Sequence, residues 1–449
     1  IPQRVDAVVI GSGALGASTA FHLASSVLSV ALLDKADLAS QTSPRAAGLS
    51  GQLRSNPTMT CIAAKAVQKI TTFQADTGEP MVFFQPGSLK IARRPEHEAQ
   101  LHEEVARGRH LGLNVAMIPL DEATRLMPYL VTDGVRAVMH MRTDIYLEPV
   151  QVPIGYARAS ARLGATLLPH TPVEEILIEG GIVAGVRTPR GEIRAPVVVD
   201  AAGAWLRVVA AQGGATVKLV PTRHQLMVTV PLPDVRPSQP ITRIIDTNVY
   251  VRPDKGGLML GGYEPDPMQY DMRDVPADFD IDGLELDLSV LRRLAESVAP
   301  QFPIFRHVAI QDHRGGLPTM TADGEHVLGP APGGQWAVCH RRLLRRRPYD
   351  RTGSGRVAGG MDHPGSPVDR CRVHGARPPG DRSGGGQPTR SVPAAVCAPL
   401  LVARIDAACG ARLGRAASSR QPTRAARDPP HTPGWITDGG DHRHDGDER

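Results

Sequence analysis

The apolar positions of the first forty residues change period twice. Val5–Ile10 is a short apolar run rich in β-branched residues. A glycine turn breaks it, and a helical spacing then runs through Ala24. A second run, Val30–Leu33, ends in Asp34. Strand, turn, helix and strand in this order predict a βαβ unit. Further on, Leu120–Leu130 has the spacing of a short helix stopped near Pro128. Residues 164–205 alternate apolar and polar positions between glycine-rich turns, which predicts a β-meander. That stretch closes on Val197–Val199 and a small-residue turn, Asp200–Ala204. Arg223–Val230 and Val249–Gly262 are further strand candidates, and Leu284–Val298 has helical spacing. From Cys339 onward, sustained periodicity is scarce outside Val392–Ala408, and Pro, Gly, Arg, Ser and Ala dominate. By itself that composition reads as disordered.

Charge sharpens this division. The 449 residues carry a formal net charge of +5. The segment from Cys339 holds 20 Arg, no Lys and 11 acidic residues. The remaining 31 basic and 35 acidic residues give the preceding part a net charge of −4. The basic character therefore belongs to the tail, and it does not argue that the rest binds nucleic acid. Four of the five cysteines also lie in the tail, and no spacing resembles a metal site. A reducing, cytoplasmic setting is expected, with no membrane span, since no apolar run reaches about 18 residues. No signal peptide is expected, and the missing Met is expected to mark a trimmed or partial start.

Gly11, Gly13 and Gly16 fit G-x-G-x-x-G at the strand-to-helix turn, and Asp34 ends the second strand. The first glycine permits the tight turn. The second lets backbone approach a pyrophosphate, and the third lets helix and strand pack closely. The helix N-terminus then faces the phosphates, and the acid accepts from a ribose hydroxyl. A dinucleotide cofactor is the expectation.

Five stretches occur in the order used by one family: this unit, "VVVDAAGAW" (197–205), "PTRHQLMVT" (221–229), "YVRPDKGGLMLGGYE" (250–264) and "GGLPTMTADGEHVLGPAPG" (315–333). They resemble the FAD-dependent amine oxidoreductases that include D-amino-acid and glycine oxidases, sarcosine oxidase and dimethylglycine dehydrogenase. The likeness is greatest to the flavin half of dimethylglycine and sarcosine dehydrogenases, over about residues 5–338. It implies an α/β fold: a glutathione-reductase-like FAD-binding domain of Rossmann type with a mixed-sheet α+β substrate domain. The implied division is 1–93, 148–215 and 312–338 for FAD and 94–147 and 216–311 for substrate, with 339–449 a disordered tail.

The resemblance also implies roles. Gly11, Gly13, Gly16 and Asp34 would bind the ADP part of FAD. Thr42 and Ser43 would line the flavin, and Val173 would meet the adenine through its backbone. Ala202, Gly203 and Trp205 would form a second wall. Where dimethylglycine dehydrogenases carry the His that attaches flavin covalently, this chain has Arg45, so FAD is expected to be non-covalent. His224 and Tyr250 match the catalytic His and Tyr of the dimethylglycine oxidase pattern. A neutral imidazole and a phenol can hold an amine in its uncharged form. Arg54 and Arg252 are candidates for a substrate carboxylate, because a guanidinium binds one bidentately; His313 is a weaker candidate. No metal is expected.

The implied reaction is hydride transfer from a secondary or tertiary amine of a small amino acid, such as sarcosine or dimethylglycine, to flavin N5. Electrons would then pass to O2 or an electron-acceptor protein. A D-amino-acid or glycine oxidase on the same scaffold is the alternative.

The family needs a third FAD segment of the form A-T-G-x-x-x-G-G just after Val338, and the chain reads "CHRRLLRRRPYDRTGSG" there. Codons allowed for Cys339–Ser354, read one nucleotide later, can spell ATGACCVGGLTIAPA, which carries the A-T-G and the Gly-Gly with four residues between them. Residues from about Cys339 are therefore expected to be a frameshifted translation. A further alternative follows: a chain that lacks this segment and holds FAD poorly. A basic tail that binds nucleic acid is the competing reading of the same residues.

Overall fold

The computed structural model describes residues 1–322 and 326–331 and the backbone of 337–340. The chain begins with β1 (Ala7–Ile10), α1 (Ala14–Ala24) and β2 (Val30–Leu33), the expected βαβ unit. It continues through β3 (Ser88–Ala92), α2 (Pro95–His110), β4 (Val115–Ile118) and β5 (Ala137–Met141). Next come α3 (Gln151–Arg162), β6 (Thr166–Leu168) and β7 (Val197–Asp200). The last part comprises β8 (His224–Thr229), β9 (Ile241–Ile244), β10 (Val249–Asp254), β11 (Gly257–Gly262), α4 (Leu288–Val298), β12 (Ile310–Gly316), β13 (Val327–Pro330) and β14 (Ala337–His340).

Two large sheets organise these strands. The first has the order β13-β14-β7-β1-β2-β6. Its centre is parallel, with β1 between β7 and β2. Every residue of β1 and β2 is buried. Both faces of a parallel sheet are covered, which is why these strands read as unbroken apolar runs. Phe21 of α1 and Tyr156 of α3 pack on one face with Val9 and Leu32. Ile176, Val186 and Ile193 of the meander pack on the other with Val8 and Leu33. The meander is a three-stranded antiparallel sheet, Glu175–Glu179, Ile182–Thr188 and Gly191–Arg194.

The second sheet has the order β12-β8-β11-β10-β9-β3-β5-β4. Its first strand, β3, lies ahead of position 94, because it pairs with both β9 and β5. Its last, β12, runs past 311 by pairing with β8 up to His224 and Gly316. Val249–Gly262 is two strands rather than one. They turn at Lys255–Gly256, both with positive φ, the two-residue geometry that matches strand twist. The helix expected from Leu284 starts at Leu288 instead, because the Asp287 side chain caps it by accepting from the Ser289 N–H. The earlier helical stretch spans Leu120–Leu126 and stops two residues before Pro128.

Strand alternation gives this sheet two different faces. Met227, Val251 and Leu260 point to the face packed by Val290, Leu291, Leu294 and Val298 of α4. Leu226, Val228, Tyr250 and Met259 point to the other, where Ala47 and Leu49 meet them. The second face is the one turned toward the loop that follows β2. The expectations for the tail fall outside the described residues apart from the backbone of β14. Among the described residues no helix is long and apolar enough to cross a membrane, and no group of side chains could hold a metal ion.

Candidate active site

The cradle begins at the glycine turn. Gly11 has φ +96°, and a Cβ there would lie 2.5 Å from the Ala201 carbonyl oxygen. A Cβ on Gly16 would lie 1.7 Å from the carbonyl oxygen of Gly11. The turn is therefore pressed flat against both α1 and the segment after β7, and only glycine allows it. Gly13 is the N-cap of α1 and supplies no capping side chain. Ser43 reaches in from the loop after β2, and its Oγ accepts from the Ala14 N–H at 3.1 Å.

Asp34 organises this turn from beneath. Its Oδ2 accepts from the Ser12 N–H at 2.8 Å and the Ser12 hydroxyl at 2.5 Å, and its Oδ1 accepts from the Ala36 N–H at 3.1 Å. A carboxylate has about four acceptor positions, so one is left open. The Ser12 hydroxyl also accepts from the Ala39 N–H, at 2.9 Å. Ser12 lies inside the glycine motif, at a position the motif leaves open, and it couples Asp34 to the next loop.

The second wall stands beside the first. Ala202 lies against Gly11, and its N–H donates to Asp200 Oδ1. Gly203 has φ +58° and is exposed. Trp205 lies under the Lys35 ammonium, 3.9 Å from the ring centroid, which ties it to the residue after Asp34. Val173 is partly buried, and its carbonyl accepts from Gln212 at 3.2 Å. Asp200 is fully buried, and burial raises its carboxyl well above the usual range.

Arg45 does not point into the cradle. Its guanidinium donates to the Ser40 and Gln41 carbonyls and pairs with Asp282. Gln41 donates to Asp280 at 2.6 Å and Lys35 donates to the Phe279 carbonyl at 2.7 Å. Segment 279–282 is thus clasped onto the loop after β2 by three long side chains.

The cradle leads directly to the second sheet. Thr42 Oγ1 accepts from the Leu317 N–H at 3.1 Å, and its methyl lies 3.0 Å from where a Cβ on Gly316 would be. Gly316 is in register with His224. One continuous track therefore runs Ala202, Gly11, Gly13, Ser43, Thr42, Gly316, His224.

At its end His224 Nε2 and Tyr250 Oη are 3.1 Å apart. Tyr263 stacks on the imidazole, with centroids 4.6 Å apart and planes at 18°. A Cβ on Gly261 would lie 2.3 Å from Tyr250 Oη, so Gly261 makes the room in which the phenol lies. Burial lowers His224 to about 4 and pushes Tyr250 up. Both are therefore neutral at pH 7. Neither Tyr263 nor Gly261 has a periodicity or motif signal of its own; strand register alone brings them here.

The charges of Arg243, Arg252 and Arg314 reach Tyr250. Arg252 shares the face of Tyr250 but is 1% exposed. It donates to the Ala47 carbonyl at 2.8 Å, to the Pro253 carbonyl at 2.6 Å and to Asp254 at 3.0 Å, leaving Nη2 without a hydrogen-bond partner among the described residues. Arg54 lies near Asp144, whose carboxylate feels its charge. His313 lies 3.2 Å from Gln225 on the next strand.

These residues fit FAD: the turn is closed to any side chain, the α1 N-terminus lacks a cap from Gly13, and Asp34 keeps an open acceptor. The family model described as FAD dependent oxidoreductase matches residues 6–344. Dimethylglycine dehydrogenase, mitochondrial, of Rattus norvegicus is 27% identical over 340 residues, 74% of this chain and 40% of that protein. Sarcosine dehydrogenase, mitochondrial, of Homo sapiens is 29% identical over 339 residues, 74% of this chain and 37% of that protein. The chain thus spans about two fifths of the length of these relatives. Among solved structures, L-proline dehydrogenase from P. horikoshii superposes with a TM-score of 0.68 at 22% identity, over 76% of this chain and 88% of that one. With the cradle and both sheets in place, the chain belongs to the FAD dependent oxidoreductase family.

Proposed function

We propose that this chain oxidises a secondary or tertiary amine of a small N-methylated amino acid such as sarcosine or dimethylglycine. The observation that carries the reading is the neutral His224–Tyr250 pair, hydrogen-bonded on the sheet face that continues from the FAD cradle. FAD, when bound, supplies the hydride acceptor. Gly11, Gly13, Gly16, Ser43 and Asp34 would hold its ADP part, and Thr42 would stand between cofactor and substrate sheet. Arg45 offers no attachment point there, which supports non-covalent binding.

The pair's task is the amine proton. An ammonium has no lone pair with which to form a C=N bond as hydride leaves. A neutral imidazole and phenol in a low-dielectric pocket disfavour the ammonium and accept or donate a hydrogen bond to the free amine. The nitrogen lone pair then forms the C=N bond as the adjacent C–H bond breaks. Water adds to the product to release an aldehyde and the shorter amine. Tyr263, stacked on His224, and Gly261, beneath Tyr250, keep both rings in one orientation. The electrons leave to O2 or to an acceptor protein.

A substrate panel tests this. Sarcosine, dimethylglycine, glycine and D-alanine are mixed anaerobically with the flavoprotein, and flavin bleaching and formaldehyde are followed. Bleaching by an N-methyl substrate with stoichiometric formaldehyde supports the reading. Bleaching by glycine or D-alanine alone replaces it with an amino-acid oxidase.

A further inference from the structure

A buried cation stands behind the His224–Tyr250 pair, on the other side of the sheet. Arg223 precedes His224 in extended chain, so the two side chains point to opposite faces. His224 meets Tyr250 on one face. Arg223 points to the other, where its charge reaches Asp287 at the start of α4. The side chain is 6% exposed. Its Nη1 donates to the Glu285 carbonyl at 3.0 Å, and Nη2 lies 4.0 Å from Glu264 Oε1. Its backbone N–H donates to the Met268 carbonyl at 2.8 Å. Nε has no hydrogen-bond partner among the described residues.

All three partners belong to one segment, residues 263–287, which joins β11 to α4. Register explains why that segment starts on His224. β8 and β11 are antiparallel, with Leu226 opposite Gly261. Two residues further the same register sets His224 opposite Tyr263, whose rings stack. One more sets Arg223 opposite Glu264. The segment then turns back along the strand: Gln269 bridges to Thr222, and the Tyr270 N–H donates to the Pro221 carbonyl at 2.9 Å. Arg223 therefore touches both ends of the segment, at Glu264 just after Tyr263 and at Glu285 near its close. A buried guanidinium that moved off these oxygens would leave a desolvated charge unpaired, so it resists any displacement of them.

We propose that Arg223 is a positioning residue for the amine-holding pair and acts through Tyr263. By fastening Glu264, Met268 and Glu285 to the strand that carries His224, it keeps the Tyr263 ring on the imidazole. The imidazole in turn keeps Nε2 on Tyr250 Oη. Arg223 lies across the sheet from the substrate and touches none of the reacting atoms. The kinetic part of its test rests on the amine-oxidising reading; the spectroscopic part does not.

The limiting rate of anaerobic flavin reduction is measured from pH 7 to 9 in the FAD-loaded parent, Arg223→Met, Arg223→Lys, Tyr263→Leu and the double variant Arg223→Met/Tyr263→Leu. At pH 7, Arg223→Met should be about tenfold slower, less than the hundredfold that a direct misplacement of about 1 Å can cost. Arg223→Lys should recover part of the rate. The loss should shrink toward pH 9, because an amine already deprotonated in solution needs the pair less. Glu264, Asp287, Asp266 and Arg293 lie around the Arg223 head and keep their charge over this range. His313, which also feels Arg223, is lowered by burial and stays neutral. The double variant should be no slower than Tyr263→Leu, since both changes release one stack. A parental rate in Arg223→Met, an equal loss at every pH, or full additivity with Tyr263→Leu overturns the proposal. If Arg223→Met does not fold, the same readings on Arg223→Lys decide it. Ring C–H NMR of histidine-labelled protein, with His224 assigned by His224→Gln, needs no turnover. Its signal should move in the same direction in the Arg223 variant and in Tyr263→Leu; an unmoved signal in the Arg223 variant overturns the proposal. If the substrate panel fails while this signal moves, the amine reading falls and the positioning role stands.

Discussion

Replacing Gly261 with Ala should disable the His224–Tyr250 pair while leaving both residues in place. A Cβ at 261 would lie 2.3 Å from Tyr250 Oη, 2.5 Å from Cζ and 2.9 Å from Cε2, whereas ordinary contact begins at 3.4 Å. Gly261 has no positive φ, so the backbone accepts alanine and the phenol must move instead. The hydroxyl has to shift by about 1 Å, and the 3.1 Å contact to His224 opens beyond hydrogen-bond range. The lost hydrogen bond is worth about 1 kcal/mol of stability. The catalytic cost should be larger, because a misplacement of about 1 Å can cost about a hundredfold in rate. The expectation is a ten- to hundredfold fall in the rate constant for anaerobic flavin reduction, roughly the range such a shift allows. FAD content should stay at the parental level. Tyr250→Phe should fall comparably, and the double variant should be no worse than Tyr250→Phe, since both changes remove one interaction. Reduction of Gly261→Ala at the parental rate would refute the argument. So would full additivity in the double variant.

Four further outcomes follow from the same residues. Asp34→Ala strands the Ser12 N–H, Ser12 hydroxyl and Ala36 N–H; each buried orphan costs about 1–3 kcal/mol, and the flavin-to-protein absorbance ratio should collapse along with the urea midpoint. His224 holds a folded pKa of about 4 against an ordinary 6.5, so the unfolded chain takes its proton first. Its contribution to stability is full above about pH 6.5 and declines as pH falls toward 4. Urea midpoints of parent and His224→Gln at pH 7.5 and 5 should show the parent losing ground at the lower pH; an unchanged difference contradicts a buried neutral imidazole. FAD should leave in the supernatant after acid precipitation, because the Arg45 side chain is tied to Ser40, Gln41 and Asp282 and offers no nucleophile to the flavin; a yellow pellet would show otherwise. The gene read across codons 335–365 should carry the shifted frame that spells the missing glycine segment. An uninterrupted frame with codons unable to spell it refutes the frameshift.

The sequence by itself determined the parts whose chemistry is local. Gly11, Gly16 and Asp34 are readable because a tight turn, a close helix–strand approach and a strand-end acid impose residue types at fixed spacings. The parallel sheet is readable because strands covered on both faces are apolar throughout. His224 and Tyr250 were singled out only through a family likeness, since a His in a strand has no distinguishing spacing. What the tertiary structure decided was how the substrate-face arginine is held. Arg252 reads along the chain like any other strand arginine, yet it is buried and donates to Ala47, Pro253 and Asp254, with Nη2 left without a hydrogen-bond partner among the described residues. That arrangement depends on strand register, which sets Arg252 on the face of Tyr250. Gly261 and Tyr263 belong to the same class: their roles exist only because register sets one beneath Tyr250 and the other against His224. Charge balance and side-chain room are sums over neighbours that only folding brings together.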